Sequence, residues 1–188
     1  VCGPVSRLIQ VEDRYALAIE IALGASLQHI VVQDEGVAKR AIGMLKSAKA
    51  GRATFLPLTT VKGRRLSEPW LEGMEGFLGL AAGLVGCDPQ FSGVVDQLLG
   101  RVAVAEDLDC ATLIAQRGSH RFRVVTLDGQ VINAGGSMTG GYAARSAGIL
   151  SRAKEIEALR AQARGYEDQA GALQTQLKAA REDLSALQ

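Results

Sequence analysis

The residues with the clearest potential for chemistry form a glycine-rich segment at 133–150, which reads NAGGSMTGGYAARSAGIL. Gly135, Gly136, Gly140 and Gly141 lie within seven residues of one another, ahead of a long polar helical pattern. Glycine-rich loops that open helices often cradle phosphate groups with their backbone N–H groups. A nucleotide-binding site is therefore the first hypothesis that this segment raises.

The glycine spacing does not match the common phosphate-binding motifs. A GxxxxGK[ST] loop needs a lysine for the terminal phosphates, whereas the nearest basic residue here is Arg145, four residues after the last glycine. The dinucleotide fingerprint GxGxxG has a different spacing. Four glycines do offer bare backbone that another main chain can approach closely. We therefore favour a chain-to-chain interface, with a nucleotide-binding α/β enzyme as the alternative.

No other residues form a recognisable catalytic or metal-binding pattern. The two histidines, His29 and His120, belong to no Ser/His/Asp, Cys/His or metal-ligand arrangement. Paired acids at 34–35 and 106–107 each separate a predicted strand from a predicted helix, where helix capping explains them. Three cysteines without a CxxC pair indicate reduced thiols in the core and a cytoplasmic setting. We expect no catalytic residue, metal or cofactor in this chain.

Composition sets further bounds on the fold and on the partners. The chain has 188 residues, of which 47% are hydrophobic but only 4% aromatic, so its core is built mainly from Val, Ile, Leu and Ala. A formal net charge of +1 argues against a surface that coats nucleic acid along its whole extent. The sequence contains no apolar run of the length needed to span a membrane.

Two strand–helix–strand patterns precede the glycine-rich segment. The first has strands at 29–34 and 52–61; the apolar residues of its helix are Val37, Ala41, Met44, Leu45 and Ala48. The second has strands at 101–107 and 121–133 around a short helix, with a hairpin turn at Asp128-Gly129. Residues 62–100 between them read as loop and helix. Each pattern predicts a parallel crossover unit.

These patterns predict a mixed α/β (α+β) fold with three parts. Two related α/β halves occupy residues 1–85 and 86–147, and a helical arm occupies residues 148–188. Both halves place an acidic residue between the first strand and the helix, at Asp34 and at Asp107. This likeness suggests an old duplication.

The arm carries an unbroken heptad repeat. Eleven of its twelve a and d positions are apolar, and the exception is Arg152 at a d position. This seam predicts a coiled-coil strand rather than a lone helix on the globular body. No other part of the chain is long enough to pair with it, so we expect another chain or a segment preceding Val1, which the abrupt start favours. The apolar seam positions are Ile149, Ile156, Leu159, Ala163, Tyr166, Ala170, Leu173, Leu177, Ala180, Leu184 and Leu187.

The stretch DGQVINAGGSMTGG at 128–141 resembles the glycine signature of the hinge domain of bacterial SMC proteins. These proteins are the chromosome-structuring ATPases related to condensin and cohesin. The stretches at 3–46 and 51–66 also resemble hinge sequences in register, so the likeness covers residues 3–150. The resemblance implies the SMC-hinge fold.

The resemblance also implies a role in chromosome organisation and segregation, in the cytoplasm at the nucleoid. SMC hinges join two coiled-coil arms as a two-fold homodimer, with strands of one half pairing with the other half of the partner. ATP and magnesium belong to a head domain of the family that no motif here represents, so we expect no ATP hydrolysis by this chain. The interface residues would be Gly135, Gly136, Ser137, Met138, Thr139, Gly140 and Gly141.

Weak, sequence-independent DNA contact is a second property that the resemblance implies, often near the junction with the coil. Arg145, Arg152 and Lys154 cluster at that junction in this sequence. Ordinary solvated charge is the alternative explanation for each basic group. The two further groups are Lys62, Arg64 and Arg65, and Arg117, Arg121 and Arg123.

Overall fold

The computed structural model describes residues 1–142 and 148–186 of the chain. Along the terminal helix, the described side chains are those of Leu150, Ile156 and residues 159–176. The chain forms two compact units, Val1–Leu150 and a second unit that begins at Ser151.

The described ranges contain ten strands and six α-helices, joined by turns and short 3-10 helices. The strands are β1 Gly3–Pro4, β2 Ile9–Val11, β3 Ile30–Val32, β4 Phe55–Pro57, β5 Phe77–Leu80, β6 Val85–Cys87, β7 Val102–Ala105, β8 Arg123–Thr126, β9 Val131–Ile132 and β10 Met138–Thr139. The helices are α1 Val5–Leu8, α2 Asp13–Leu23, α3 Glu35–Ala48, α4 Ser92–Leu99, α5 Leu108–Arg117 and α6 Ile149–Ala186.

The strands form three sheets whose topology confirms both predicted crossover units. In the three-stranded sheet β1-β3-β4, β3 and β4 are parallel and α3 connects them. In the five-stranded sheet β10-β9-β8-β7-β5, β7 and β8 are parallel and α5 connects them. A two-stranded sheet pairs β2 with β6. The predicted hairpin at Asp128-Gly129 is confirmed, since β8 and β9 are antiparallel and Gly129 has a φ of +88°.

Three predictions of local structure were wrong. The segment 62–100 contains strands β5 and β6, which interspersed glycines hide from a periodicity search. The strand predicted at 52–61 is only Phe55–Pro57, because Val61 N–H donates to Pro57 O and turns the chain. Met44 is 73% exposed, and Ala38 is the buried residue of α3, so the buried face of this helix is narrower than predicted.

The core consists of two groups of aliphatic side chains. The larger draws on both predicted halves, for example Ile19 of α2 with Val95 of α4, and the smaller packs α5 against β7 and β8. The boundary at residue 85 stays a prediction. The three cysteines were predicted to be core residues, but Cys2, Cys87 and Cys110 are only partly buried and lie against these groups.

Helix capping by the predicted acids is confirmed at both crossover helices. Asp34 Oδ1 accepts a hydrogen bond from Val37 N–H at 2.8 Å, and Asp107 Oδ1 accepts one from Cys110 N–H at 2.8 Å. The bond from Cys110 N–H holds the pKa of Asp107 below its usual value, because it stabilises the carboxylate. Each side chain satisfies an N–H group that the helix itself leaves unpaired.

The second unit is a single long helix. Among the predicted seam residues, Ile156 is 49% exposed, Leu159 56%, Tyr166 69% and Leu173 64%, and Ala163 and Ala170 are also exposed. The side chains of Ile149, Leu177, Ala180 and Leu184 lie outside the described set, and Leu187 lies outside the described residues. The helix is confirmed, and its pairing as a coiled coil stays a prediction.

We predict that Asp34→Ala lowers the free energy of unfolding by about 1 kcal/mol, because Val37 N–H loses its acceptor. Asp34→Asn is the matched control, since asparagine caps helices about as well and keeps the side-chain oxygen. Urea unfolding followed by circular dichroism measures both variants. Equal stability of Asp34→Ala and wild type would contradict the assignment of this cap.

Candidate functional site

The glycine-rich segment contains a strand that the sequence did not reveal. Met138 and Thr139 form β10, which pairs antiparallel with β9 in the register Met138↔Ile132 and Thr139↔Val131. A two-residue strand within a glycine-rich segment produces no periodic pattern, so the sequence of this segment resembles that of a loop. Since β10 is the outermost strand of the five-stranded sheet, the predicted interface lies along an open sheet edge.

Hydrogen bonds within the chain fix the turn that leads into this strand. Asn133 N–H donates to Ser137 O at 2.8 Å, and Gly136 N–H donates to Asn133 O at 2.9 Å. Arg123 Nε donates to Asn133 Oδ1 at 3.2 Å, while its Nη1 donates to Ala22 O at the end of α2 at 3.1 Å. The partly buried guanidinium thereby ties the start of the segment to α2.

Three of the four glycines at 135–141 have a positive φ, and two of these, Gly135 and Gly141, also lie in open space. Gly135 and Gly141 have φ values of +90° and +140°, and a Cβ on either would meet no atom within 4 Å. A side chain on Gly135 or Gly141 would therefore strain the monomer itself. Gly136, with a φ of +91°, lies against the His120 imidazole, and a Cβ on Gly140 would overlap Gln130.

The register of β10 determines which backbone groups face outward. Because Asn133 N–H donates to Ser137 O, the pair Met138↔Ile132 is a non-hydrogen-bonded pair of the antiparallel ladder. The N–H and C=O of Met138 therefore point away from β9. The outward side is accessible, since residues 137–142 are all exposed, with Met138 at 56% and Tyr142 at 97%.

The basic groups predicted to contact DNA differ in their surroundings. Lys62 and Arg64 are exposed, whereas Arg65 forms an ion pair with Asp96 at 2.7 Å. Arg145 lies outside the described residues, as do the side chains of Arg152 and Lys154. In the third group, Arg121 pairs with Glu68, Arg117 lies over the Trp70 ring and Arg123 holds Asn133. These contacts give the third group a role within the fold.

A further basic surface was missed by the sequence reasoning. Residues 36–67 contain eight Lys and Arg and no Asp or Glu, while the rest of the chain holds thirteen basic residues and all twenty acids. A count of charge by segment would have found this asymmetry. The basic surface of α3 and the turn after it consists of five exposed residues: Lys39, Arg40, Lys46, Lys49 and Arg52.

The described residues contain no arrangement typical of catalysis. Among them, no three His, Cys, Asp or Glu side chains lie close enough together to hold a metal ion. A hydrogen bond with Asp107 raises the pKa of the Cys110 thiol, and burial raises the pKa of Cys87, so both disfavour the reactive thiolate. Among the residues that the structure describes, no helix combines the length and the apolar character needed to cross a membrane.

The described part of the chain is a mixed α/β unit whose five-stranded sheet has an open edge at β10. Residues 1–115 match the family model of the SMC proteins flexible hinge domain. The chain therefore belongs to the SMC hinge family, as the glycine signature suggested.

Individual relatives agree with this assignment. The chromosome partition protein Smc of Bacillus subtilis is 43% identical over 180 residues, which cover 94% of this chain and 15% of that protein. The SMC hinge domain of Geobacillus stearothermophilus, solved as an asymmetric dimer, is 42% identical with a TM-score of 0.78 over 97% of this chain and 75% of that one. The Pyrococcus furiosus hinge is 34% identical with a TM-score of 0.63, over 74% of this chain and 71% of that one.

These relatives confirm the predicted fold class, and they lend no support to the alternative of a nucleotide-binding enzyme. This chain spans only a small part of the full-length relatives, 15% of the B. subtilis protein.

Proposed function

We propose that this chain is a homodimerisation hinge that pairs β10 of one protomer with a strand of its partner. The observation that carries the proposal is the outward-facing N–H and C=O of Met138 on an exposed edge strand. Unpaired edges of this kind bind another strand readily, because main-chain hydrogen bonds require no particular side chain. Gly140 and Gly141, which follow β10, add no side chains that could obstruct the approaching backbone.

The three-stranded sheet offers a complementary edge at β4. Ile30 N–H donates to Thr54 O at 2.9 Å and Leu58 N–H donates to Val32 O at 2.9 Å, so Thr54 and Leu58 face β3. By alternation, the N–H and C=O of Phe55 face away from β3.

Phe55 is the main outward group of β4, because Pro57 has no N–H and its carbonyl oxygen accepts a hydrogen bond from Val61 N–H at 2.9 Å. The opposite edge, β1, is shorter, since it consists of Gly3–Pro4 and α1 begins directly at Val5.

Pairing β10 of each protomer with β4 of the other gives a closed two-fold dimer in which the same contact occurs twice. The related Geobacillus hinge was solved as a dimer, which supports a dimer here. The dimer would join two coiled-coil arms, each completed by a second strand of the parent chain. The parent would act in chromosome organisation and segregation at the nucleoid in the cytoplasm, with ATP and magnesium bound at a separate head domain.

A second proposed function is weak, sequence-independent contact with DNA phosphates. The exposed basic surface of α3 supports it, because five cations lie there within an acid-free segment. Lys62 and Arg64 extend the same segment. The junction residues Arg145, Arg152 and Lys154 stay candidates on sequence grounds alone.

We predict that Met138→Pro weakens the dimer at least about thirtyfold while leaving the monomer folded. Proline removes the outward N–H but no hydrogen bond to β9, and the two-fold axis doubles the loss. Sedimentation equilibrium measures the dimer Kd, and urea unfolding measures the fold. Met138→Leu, which keeps the N–H, is the control and should match wild type. A wild-type Kd for Met138→Pro would exclude pairing at this edge.

For DNA, we predict that the double variant Lys39→Glu/Lys46→Glu lowers the affinity. We also expect the slope of log binding constant against log salt concentration to become shallower by about two, one for each lost phosphate contact. The matched control is Arg7→Glu/Arg101→Glu, which makes the same charge change at exposed residues outside the acid-free segment. Fluorescence anisotropy with a short duplex at several salt concentrations measures both. Equal loss in the two variants would show that only net charge matters and contradict a site on α3.

A further inference from the structure

The backbone ladder between β9 and β10 ends at Thr139↔Val131, before Gly140 and Gly141. The backbone of the preceding residue, Gln130, is occupied by the hairpin to β8. Thr126 N–H donates to Gln130 O at 2.9 Å, and Gln130 N–H donates to Thr126 Oγ1 at 2.8 Å. The backbone of Gln130 thus faces β8. The register places Gly129 opposite Gly141, but Gly129 lies in the hairpin turn, where its N–H donates to Thr126 O at 3.0 Å.

The Gln130 side chain supplies the missing pair. Gly141 N–H donates to Gln130 Oε1 at 2.8 Å, and Gln130 Nε2 donates to Gly141 O at 3.1 Å. A side-chain amide offers one acceptor and one donor as a peptide group does, so it can take the place of a strand residue. The two bonds extend the β10 ladder by two residues beyond Thr139.

A short polar network orients this amide. Asp128 Oδ2 accepts a hydrogen bond from Gln130 Nε2 at 3.3 Å, which turns the amide nitrogen toward the Asp128 carboxylate and Gly141 O. The other oxygen of Asp128 accepts a hydrogen bond from the hydroxyl of Thr126, whose side chain is fully buried. The hairpin thus holds the amide in the orientation that Gly141 requires.

We propose that Gln130 is a positioning residue that lengthens the dimerisation edge from one outward-facing residue to two. This inference rests on the proposed strand pairing. With Thr139 and Gly141 both held inward, alternation directs the N–H and C=O of Gly140 outward beside those of Met138. Gln130 also explains why residue 140 is glycine, since a Cβ there would collide with the amide.

The test replaces the amide by a group of similar size that cannot form hydrogen bonds. In Gln130→Met, we expect the dimer Kd to rise about tenfold, because each of the two symmetric edges loses one ordered residue. At protein concentrations where the variant is monomeric, we expect the Gly141 amide to exchange at least about tenfold faster than in a monomeric Met138→Pro reference. Core amides such as Val125 should keep their protection in both proteins.

Gln130→Asn is the second variant, since its amide is one methylene too short to reach Gly141, and it should behave like Gln130→Met. Gln90→Met, at an exposed glutamine on a different turn, is the control and should match wild type. A wild-type Kd in both Gln130 variants, while Met138→Pro still weakens the dimer, would overturn this inference and leave the proposed pairing intact. If Met138→Pro also leaves the Kd unchanged, the proposed function itself is wrong. A general loss of core protection would indicate a merely structural role and would also overturn the inference.

Discussion

The backbone groups of an edge strand must find hydrogen-bond partners, and this requirement accounts for the glycine-rich segment. Many proteins protect an edge by charge, proline or a covering loop. Here β10 is exposed and uncharged, and it is flanked by Ser137 and Gly140. The hydrogen bonds of Asn133 and His120 fix the turn before β10, and those of Gln130 hold Gly141 after it, so they leave the outer side of β10 unoccupied. In our account, a second protomer satisfies the outer side.

A flexible edge would lose much of its affinity to the cost of ordering on association, so the support behind β10 matters. The strands β7 and β8 are almost completely buried, and Arg123 connects the segment to the end of α2. The glycines within the segment serve two separate needs. Gly135 and Gly141 adopt positive φ angles, whereas Gly140 makes room for the Gln130 amide. Substitutions at these glycines would therefore affect the monomer as well as any interface.

The parts of the structure that depend on local pattern were predictable from the sequence. The β-branched strands β3 and β7, the caps Asp34 and Asp107 and the Asp128-Gly129 hairpin each have a recognisable local signature. Strands β5, β6 and β10 have no such signature, because glycines within or beside them interrupt the alternation of apolar and polar residues on which strand prediction depends. The position of the glycine-rich segment could be predicted from the sequence. The Gln130–Gly141 pairing could not, because the hairpin brings these two residues together and no local pattern links them. The basic surface of α3 was visible in the sequence and needed only a count of charge by segment.

Amide hydrogen exchange at single residues tests the central claim most directly. Our account predicts that the amides of Met138 and Gly140 are protected in concentrated protein and lose that protection on dilution below the dimer Kd. The amide of Thr139, which pairs with β9 inside the monomer, should change far less. Rapid exchange of Met138 and Gly140 under conditions where sedimentation shows a dimer would contradict the account, because the protomers would then associate through another surface.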